Sequence, residues 1–356
     1  MRYRLLGRSG LRVSELCLGT MTFGEEWQFG ASIEQSRAIF DRFCAAGGTF
    51  VDTANVYTCG TSEKLVGELI ASDRDHFVVS TKFSLTTRPD DQNGGGNHRK
   101  SMVQAVERSL RQLGTGYIDI YWLHAWDATT PLDEVMRGLD DLARSGKALY
   151  IGVSDTPAWV VSQANTVAEL RGWSSFIGLQ TEYNLIERTA ERELLPMARA
   201  FELGVLAWAP LAGGVLTGKY TLAGDEVRFE DSLRGGRLNG DRLTLQSMQV
   251  AATVMAIATE SGRAPAQVAL NWLRQHSAAA IIPIISARTV TQIEQNLGCL
   301  GFTLDNDQMG RLDAVSEVTL GFPHQFLASA PLQRALFGTN RDLLELPSRM
   351  TAINRP

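Results

Sequence analysis

Four polar side chains of different chemical types stand at or just after the ends of successive apolar runs in this sequence. Asp52 and Tyr57 follow one run, Lys82 ends the next, and His124 ends the one after that. If these runs are parallel strands of a barrel, their carboxyl ends meet at one mouth. A carboxylate, a phenol, an amine and an imidazole would then be neighbours, despite the long gaps between them in the sequence.

This combination of groups suits the reduction of a carbonyl, in which hydride reaches the carbon and a proton reaches the oxygen. Tyr57 is the candidate proton donor, but a free phenol with a pKa of about 10 is a poor acid near neutral pH. We expect the Lys82 ammonium to favour the phenolate and to lower that pKa. Asp52 would keep Lys82 charged and aimed, and His124 would donate a hydrogen bond that polarises the carbonyl.

Each of these residues also has a plain structural interpretation. Asp52 is a suitable helix cap and Tyr57 an ordinary loop aromatic. Lys82 is a strand-end lysine within reach of solvent, and His124 is a hydrogen-bonded buried histidine. A Schiff-base aldolase that uses Lys82 as its nucleophile is a second catalytic interpretation. It leaves Tyr57 without a clear task, whereas carbonyl reduction uses all four side chains.

The elements that must position these residues alternate regularly along the chain. Eight apolar runs are predicted as strands near 14–19, 49–52, 77–82, 117–123, 148–153, 177–181, 204–209 and 281–285. Helices are predicted at 33–46, 61–71, 99–113, 131–145, 157–171, 189–202, 247–261 with 265–276, and 289–298. Alternation of this kind predicts a parallel sheet. Eight units favour the α/β class in its (β/α)8 TIM barrel form over an open doubly wound sheet.

Less regular segments surround this repeat. Arg2–Leu11 is predicted to form an N-terminal β-hairpin that turns at Ser9–Gly10. Asp90–Asn97 and Ala223–Asp241 are glycine-rich and follow the third and seventh strands, so we expect both at the active-site end of the barrel.

We expect a single domain over residues 1–356. Its core covers about 14–317, and a C-terminal tail of extra helices and loops covers 318–356. The tail is irregular from about residue 320, and we expect it to fold over the active-site face.

Bulk composition excludes several classes of protein. The chain has 356 residues, of which 44% are hydrophobic and 21% charged, with a net charge of −5, so neither nucleic acid nor an anionic membrane is an expected partner. It has four cysteines without a C-x-x-C pair, which favours reduced thiols in a cytoplasmic protein. No apolar stretch approaches the length of a membrane span. A homo-oligomer is compatible with these features but is not predicted by them.

One near-match to a phosphate-loop motif and the absence of two other motifs bear on which cofactors and metals the chain could bind. Gly213–Tyr220 nearly matches a phosphate loop, but Tyr220 stands where Ser or Thr would coordinate magnesium. No G-x-G-x-x-G is present, so a nicotinamide cofactor would need a scaffold other than a Rossmann fold. The five histidines form no H-E-x-x-H, and we expect no metal.

Over about residues 1–317 the sequence resembles the aldo-keto reductase family, and its bacterial branch in particular. The matching stretches are Leu6–Leu11, Leu18–Met21, Asp52–Tyr57, Ser62–Glu63, Lys82, Leu113–Thr115, Ile118–His124, Gly146–Lys147, Gly152–Ser154, Gln180–Asn184, Pro210–Gly214 and Ala287–Thr289. The resemblance implies an NADP-dependent oxidoreductase that reduces an aldehyde or ketone to an alcohol. Its tetrad would be Asp52, Tyr57 as general acid, Lys82 and His124.

The resemblance also implies where NADPH or NADP+ binds. Ser154 and Gln180 would hold the nicotinamide carboxamide, together with Asp155 where relatives often have Asn, and Trp208 would stack on the ring. The full implied set is Thr20, Met21, Asp52, Ser154, Asp155, Gln180, Trp208, Ala209, Pro210, Leu211, Gly213, Leu216, Lys219, Ser286, Ala287, Arg288, Gln292, Gln295 and Asn296. Arg288 can clamp a 2′-phosphate with paired donors, which favours NADPH over NADH.

The aromatic residues of the loops predict a partly apolar substrate pocket. We assign Phe23, Trp27, Phe83 and Trp126 to it, for a small-molecule carbonyl substrate. One further interpretation is a cofactor-binding regulatory protein like the channel-associated β-subunits that share this fold. It would keep the cofactor site while turnover was slow.

Overall fold

The chain begins with a two-stranded antiparallel hairpin, β1 (Tyr3–Leu5) and β2 (Arg12–Ser14). In the computed structural model, which describes residues 1–223, 226–229, 242–276, 280–340 and 343–345, the hairpin residue Leu6 packs against the amino-terminal end of the barrel. The predicted turn is confirmed, because the Ser9 hydroxyl donates to the Leu6 carbonyl at 2.7 Å. The predicted bounds were too short, since the returning strand follows residue 11.

Eight parallel strands form a closed barrel, as the alternation of runs predicted. They are β3 (Cys17–Gly19), β4 (Phe50–Asp52), β5 (Val78–Phe83), β6 (Ile118–Leu123), β7 (Ala148–Ser154), β8 (Phe176–Glu182), β9 (Gly204–Trp208) and, after the hairpin of β10 (Tyr220–Ala223) and β11 (Glu226–Phe229), β12 (Ile281–Ile285). The strands follow one another in chain order around the barrel, and β12 pairs with both β9 and β3 to close it.

Helices surround the barrel and connect its strands. They are α1 (Ile33–Ala45), α2 (Thr61–Ile70), α3 (Arg99–Leu113), α4 (Leu132–Arg144), α5 (Ala158–Arg171), α6 (Leu194–Ala200), α7 (Leu245–Ser261), α8 (Pro265–Gln275), α9 (Val290–Leu297), α10 (Asn306–Val315), α11 (His324–Ala328) and α12 (Ala330–Phe337). Each predicted helical segment overlaps at least one of these helices, and 247–261 with 265–276 corresponds to both α7 and α8, so the predicted (β/α)8 architecture is confirmed.

The helix predicted over 189–202 is shorter than expected. A 3-10 turn at Thr189–Glu191 precedes α6, and Glu193 between them has a non-helical backbone conformation with φ −135° and ψ −43°. Pro196 explains the break, because proline has no N–H to donate and its ring clashes with the carbonyl four residues earlier. Proline is tolerated only in the first turn of a helix, which is where α6 places it.

Side chains on the barrel strands alternate between the barrel interior and the helix layer, as strand geometry requires. On β5, Ser80 and Lys82 contact residues inside the barrel, whereas the Thr81 hydroxyl donates to Glu63 of α2 at 2.6 Å. Phe83 also faces outward, stacked on Tyr121 with ring centroids 5.0 Å apart. The interior face of β5 therefore carries the polar groups toward the mouth.

Trp122 fills the middle of the barrel and is fully buried. Its ring needs glycine on the neighbouring strand, since a Cβ on Gly152 would lie 2.2 Å from the indole. The interior is thus a packed core rather than a channel.

The two long loops and the tail are described to different extents. Asp90–Asn97 lies at the mouth, where the Asn97 amide donates to the Ser84 hydroxyl at 2.9 Å and to the Ala125 carbonyl at 2.9 Å. Most of Ala223–Asp241 lies outside the described residues. The tail, predicted as irregular from residue 320, contains α11 and α12. One contact of the tail with the rest of the chain is made just before α6, where His324 Nε2 lies 3.1 Å from a Glu193 oxygen. The expected position of the tail over the active-site face stays a prediction.

Candidate active site

Strand register brings the predicted tetrad together at the carboxyl end of the barrel. Asp52 at the end of β4 pairs with Ser80 of β5, and Lys82 of β5 pairs with Trp122 of β6. Lys82 is fully buried. Its ammonium donates to the Asp52 carboxylate, to the Thr53 carbonyl at 2.8 Å and to the Tyr57 hydroxyl at 3.1 Å. Three partners account for its three N–H bonds.

The Asp52 carboxylate is held on both oxygens. Oδ2 accepts from Lys82, while Oδ1 accepts from the Ser80 hydroxyl at 2.6 Å and from the Gln180 amide nitrogen at 3.1 Å. Only 2% of Asp52 is exposed. A buried ion pair is tolerated when its remaining lone pairs are satisfied in this way. Burial is the largest single effect and would lower the pKa of Lys82, but the charges and hydrogen bonds of Asp52 and Tyr57 together outweigh it, so the pKa is raised and the amine stays protonated.

Tyr57 begins a tight turn that directs its hydroxyl at Lys82. The two residues after it, Thr58 and Cys59, have left-handed φ values of +45° and +56°. Such backbone strain costs about 1–3 kcal/mol for a residue other than glycine and is common at functional sites. The sequence-based expectation about acidity needs correction. Burial raises the pKa of Tyr57, and the opposing effect of the Lys82 charge does not overcome it. Tyr57 is therefore protonated at neutral pH.

His124 follows β6 and faces Tyr57 edge to face, with ring centroids 6.0 Å apart. Burial, together with the Lys82 charge, lowers the pKa of His124 to about 3, so the ring is neutral at ordinary pH. Its Nδ1 atom is buried and has no hydrogen-bond partner among the described residues. A neutral imidazole carries one N–H. Because no described acceptor lies within hydrogen-bond distance of Nδ1, a proton on Nδ1 would have no partner.

Two of the four predicted pocket aromatics do not reach the mouth. Phe23 and Phe83 are fully buried in the layer between barrel and helices. They were assigned on residue type, whereas the strand alternation that turns Phe83 outward decides its direction. Trp27 and Trp126 are only half-buried. Trp27 lies edge-on to Tyr57 with ring centroids 6.2 Å apart, and Phe29, which the sequence analysis missed, lies 5.9 Å from Trp27.

The groups expected to hold a nicotinamide also meet at this mouth. Ser154 pairs in register with Gln180, and its buried hydroxyl has no hydrogen-bond partner among the described residues. Because the Gln180 nitrogen is bound to Asp52, its carbonyl oxygen remains for a ligand. The Trp208 indole donates to Asp155 at 3.0 Å. An unpaired buried hydroxyl beside an amide acceptor and a partly exposed indole fits a planar carboxamide ligand.

Residues expected along the rest of the cofactor divide into exposed and buried groups. Lys219 and Gln295 are exposed, and Met21, Ala209, Leu211 and Gly213 are half-buried. Thr20, Pro210 and Leu216 are buried, and the Thr20 hydroxyl is bound to the Asp52 carbonyl at 3.1 Å.

The expected phosphate-binding segment lies between β12 and α9. The Arg288 N–H donates to the Gln292 side chain at 2.8 Å, and Asn296 donates to the Ser286 carbonyl at 3.1 Å. Gln292 and Asn296 therefore fix the turn that presents Arg288 and the exposed Ser286. No described side chain forms an ion pair with the Arg288 guanidinium. The nearby Ala287 is buried, and its carbonyl accepts from Thr22 at 2.8 Å.

Sequence reasoning missed the polar residues that support the tetrad from inside the barrel. Ser80 is the clearest case, since it stands two positions before Lys82 and the period of two in a strand puts both on one face. Glu182, which ends β8, forms an ion pair with Arg242 at 2.6 Å close to Trp208. No signal in the sequence links these two residues.

No group of three or more His, Cys, Asp or Glu side chains in the described ranges could hold a metal ion. No helix within those ranges is long and apolar enough to cross a membrane.

Comparison with known proteins identifies the family. The model of the aldo/keto reductase family matches residues 15–317. The chain is 37% identical to norsolorinic acid reductase stcV of Emericella nidulans, over 92% of this chain and 84% of that protein. It is 38% identical to norsolorinic acid reductase B of Dothistroma septosporum, over 92% and 85% of the two chains. It is 36% identical to aldo-keto reductase ausK of Aspergillus calidoustus, over 93% and 86%.

These relatives are fungal, whereas the sequence motifs had suggested the bacterial branch, so the comparisons support the family rather than that branch. They also bear out the reaction class, since proteins named as reductases match nearly the whole chain. A closed eight-stranded barrel and a family match over most of its length lead to one conclusion: this chain belongs to the aldo/keto reductase family and is an oxidoreductase that acts on carbonyl groups.

Proposed function

We propose that this protein is an NADPH-dependent reductase of aldehydes or ketones, with Tyr57 as the general acid. The observation that carries this proposal is the Lys82 ammonium, which lies 3.1 Å from the Tyr57 hydroxyl while the Asp52 carboxylate holds it from the other side. A buried positive charge at this position stabilises the phenolate that forms as Tyr57 gives up its proton. A lowered pKa of Tyr57 in the free protein is not required for this role.

The donor set fits a nicotinamide cofactor, which the family generally uses and which would supply the hydride. The unpaired Ser154 hydroxyl and the free carbonyl oxygen of Gln180 are suited to a carboxamide. Trp208 offers an aromatic face whose orientation is fixed by its hydrogen bond to Asp155. Asp155 thus acts through the indole.

NADPH rather than NADH is the proposed cofactor because of the segment before α9. Arg288 has no ion-pair partner among the described residues, and Ser286 beside it is exposed. A guanidinium binds a phosphate with two parallel hydrogen bonds. The 2′-phosphate distinguishes NADPH from NADH. With NADH bound, the Arg288 guanidinium would have no phosphate to bind.

His124 is the proposed guide for the carbonyl oxygen. Its ring is neutral and its buried Nδ1 is unpartnered, so we place the N–H on Nε2, which is free to donate to the substrate oxygen. The Tyr57 hydroxyl, edge-on to this ring, would reach the same oxygen with its proton. The two donors together would polarise the carbonyl before the proton moves.

The Schiff-base aldolase interpretation receives no support from the geometry. Lys82 is fully buried, all three of its N–H bonds have partners, and its raised pKa keeps the amine protonated. A nucleophilic amine needs a free lone pair and a lowered pKa. A regulatory, non-catalytic protein would have no need for the full tetrad, and measured turnover decides that question.

The direct test is consumption of NADPH, followed by its absorbance, with a panel of aldehydes and ketones. We expect turnover with apolar and aromatic carbonyl compounds, because Trp27, Phe29 and Trp126 surround the mouth. A parallel reaction with borohydride and each carbonyl compound should leave no covalent adduct on Lys82. An adduct without NADPH consumption would overturn the proposed function.

A further inference from the structure

A short segment between β3 and α1, here called the aromatic loop (residues 22–31), closes on itself beside Tyr57. The Ala31 N–H donates to the Thr22 carbonyl at 2.7 Å, and the Gly24 N–H donates to the Ala31 carbonyl at 3.1 Å. The loop carries Trp27 and Phe29 at its far end. These two hydrogen bonds fix the base of the loop, so a contact to the base also positions the Trp27 and Phe29 rings.

One contact to that base comes from the residue directly after the proposed proton donor. The Thr58 hydroxyl donates to the Phe23 carbonyl at 2.7 Å and accepts from the Ser62 N–H of α2 at 3.1 Å. Thr58 is fully buried. Its single hydroxyl therefore joins three segments: the aromatic loop, the turn that holds Tyr57, and the start of α2.

The backbone at Thr58 is strained in a way that its side chain does not favour. Its φ of +45° lies in the left-handed region, which β-branched residues rarely adopt. Glycine would take this conformation without strain, but it has no hydroxyl to bind Phe23 and Ser62. Strain of this kind indicates that the contacts of the Thr58 side chain outweigh the conformational preference of its backbone.

We propose that Thr58 is a positioning residue that fixes the aromatic loop against Tyr57 and so selects carbonyl compounds with an aromatic substituent. The proposal rests on the proposed function of Tyr57. Trp27 lies edge-on to the Tyr57 ring, with an interplanar angle of 77°. A flat substituent next to the carbonyl would lie against the Trp27 ring while its oxygen reaches the Tyr57 hydroxyl. A small aliphatic carbonyl compound would not need that wall.

The test compares Thr58→Val, which keeps the branched shape without the hydroxyl, with Thr58→Ser, which keeps the hydroxyl. Thr61→Ala is the matched control, because the exposed Thr61 hydroxyl also binds this loop, at Glu26. For each variant, kcat and KM are measured with benzaldehyde and with butanal, and the Kd for NADPH by quenching of tryptophan fluorescence.

We expect Thr58→Val to lower kcat/KM for benzaldehyde by about tenfold, since displacement of a positioned group by about 1 Å can cost about a hundredfold in rate. The butanal value and the Kd for NADPH should change by less than about twofold, and Thr58→Ser and Thr61→Ala should match the wild type within the same margin. Thr58→Gly, which relieves the backbone strain but leaves the Phe23 carbonyl and the Ser62 N–H without this partner, should also lose the selectivity for benzaldehyde.

Failure of the inference and failure of the proposed function give different results. A wild-type protein that consumes no NADPH with either aldehyde contradicts the function. A wild-type protein that works, combined with Thr58→Val and Thr58→Gly variants that keep its ratio of benzaldehyde to butanal efficiency, overturns the role of Thr58. Equal losses of kcat/KM with both aldehydes would overturn it as well, because they would show that Thr58 only supports the fold and does not affect the choice of substrate.

Discussion

The Tyr57 hydroxyl and the Lys82 ammonium lie 3.1 Å apart at the mouth of the barrel, and Lys82 is also bound to Asp52 and to the Thr53 carbonyl. Lys82 is thus a fixed cation with no freedom to move toward solvent. Its role in the proposed reaction is to stabilise the charge that appears on Tyr57.

Removal of the Lys82 charge should destabilise the fold. In Lys82→Met the buried Asp52 carboxylate loses its counter-ion, and breaking such a pair costs about 3–5 kcal/mol in the free energy of unfolding. Urea denaturation measures this loss. The control is Arg311→Ala, which breaks a pair with Glu260 whose side chains are 37% and 48% exposed and should cost at most about 1 kcal/mol. Similar losses in the two variants would mean that Asp52 and Lys82 are not a buried pair.

The rate of carbonyl reduction should be insensitive to pH through the neutral range. Burial raises the pKa of Tyr57 above its ordinary value near 10, so the proton donor stays protonated until the solution is strongly basic. We expect kcat/KM to stay level up to about pH 9 and to fall only at higher pH. A basic limb with its midpoint near neutrality would be inconsistent with protonated Tyr57 in the free enzyme.

His124 should contribute to the loss of stability in acid. Its pKa is lowered to about 3 by burial and by Lys82, against about 6.5 in an unfolded chain. Between these values the unfolded chain binds more protons. The stability that the neutral His124 ring provides is therefore fully present above about pH 6.5 and is lost as pH falls toward 3. The free energy of unfolding changes by at most about 1.4 kcal/mol per pH unit in this range.

The His124→Asn variant should reduce the dependence of the unfolding free energy on pH in this window, as followed by urea denaturation at several pH values. The pKa of His276 is also lowered by burial, so part of the dependence should remain. An unchanged slope would show that His124 is not held as a neutral ring.

The preference for NADPH should depend on Arg288. Arg288→Ala is expected to weaken NADPH binding by about ten- to a hundredfold, the value of a charge-assisted hydrogen bond, and to leave NADH binding nearly unchanged. The control is Arg42→Ala, because Arg42 of α1 forms an exposed ion pair with Glu294 of α9, the helix that follows Arg288, and its removal should affect neither cofactor. Equal loss of NADPH and NADH affinity in Arg288→Ala would contradict a 2′-phosphate site.

The barrel and the tetrad could be predicted from the sequence because they depend on simple periodicity. Apolar runs alternate with amphipathic segments, and the ends of parallel strands converge, so Asp52, Lys82 and His124 had to meet once the runs were recognised. The expectation of a single domain over the whole chain stays a prediction.

What the sequence did not predict depends on side-chain direction and on contacts between distant segments. Phe83 was assigned to the pocket, yet its place next to Lys82 on the strand turns it to the opposite face. The acidity of Tyr57 was predicted from one charged neighbour, whereas burial has the larger effect. The bond between Asp155 and Trp208 joins the ends of β7 and β9, which are separated by β8 in the barrel, so only the fold reveals it.

Replacement of Tyr57 by phenylalanine tests the central claim most directly. The variant keeps the ring against Trp27 and His124 and loses only the hydroxyl 3.1 Å from Lys82. We predict that Tyr57→Phe lowers kcat for reduction by at least about a hundredfold, since a general acid contributes about 100- to 10,000-fold, and that the Kd for NADPH stays within about twofold. Turnover near the wild-type value with intact NADPH binding would contradict Tyr57 as the proton donor.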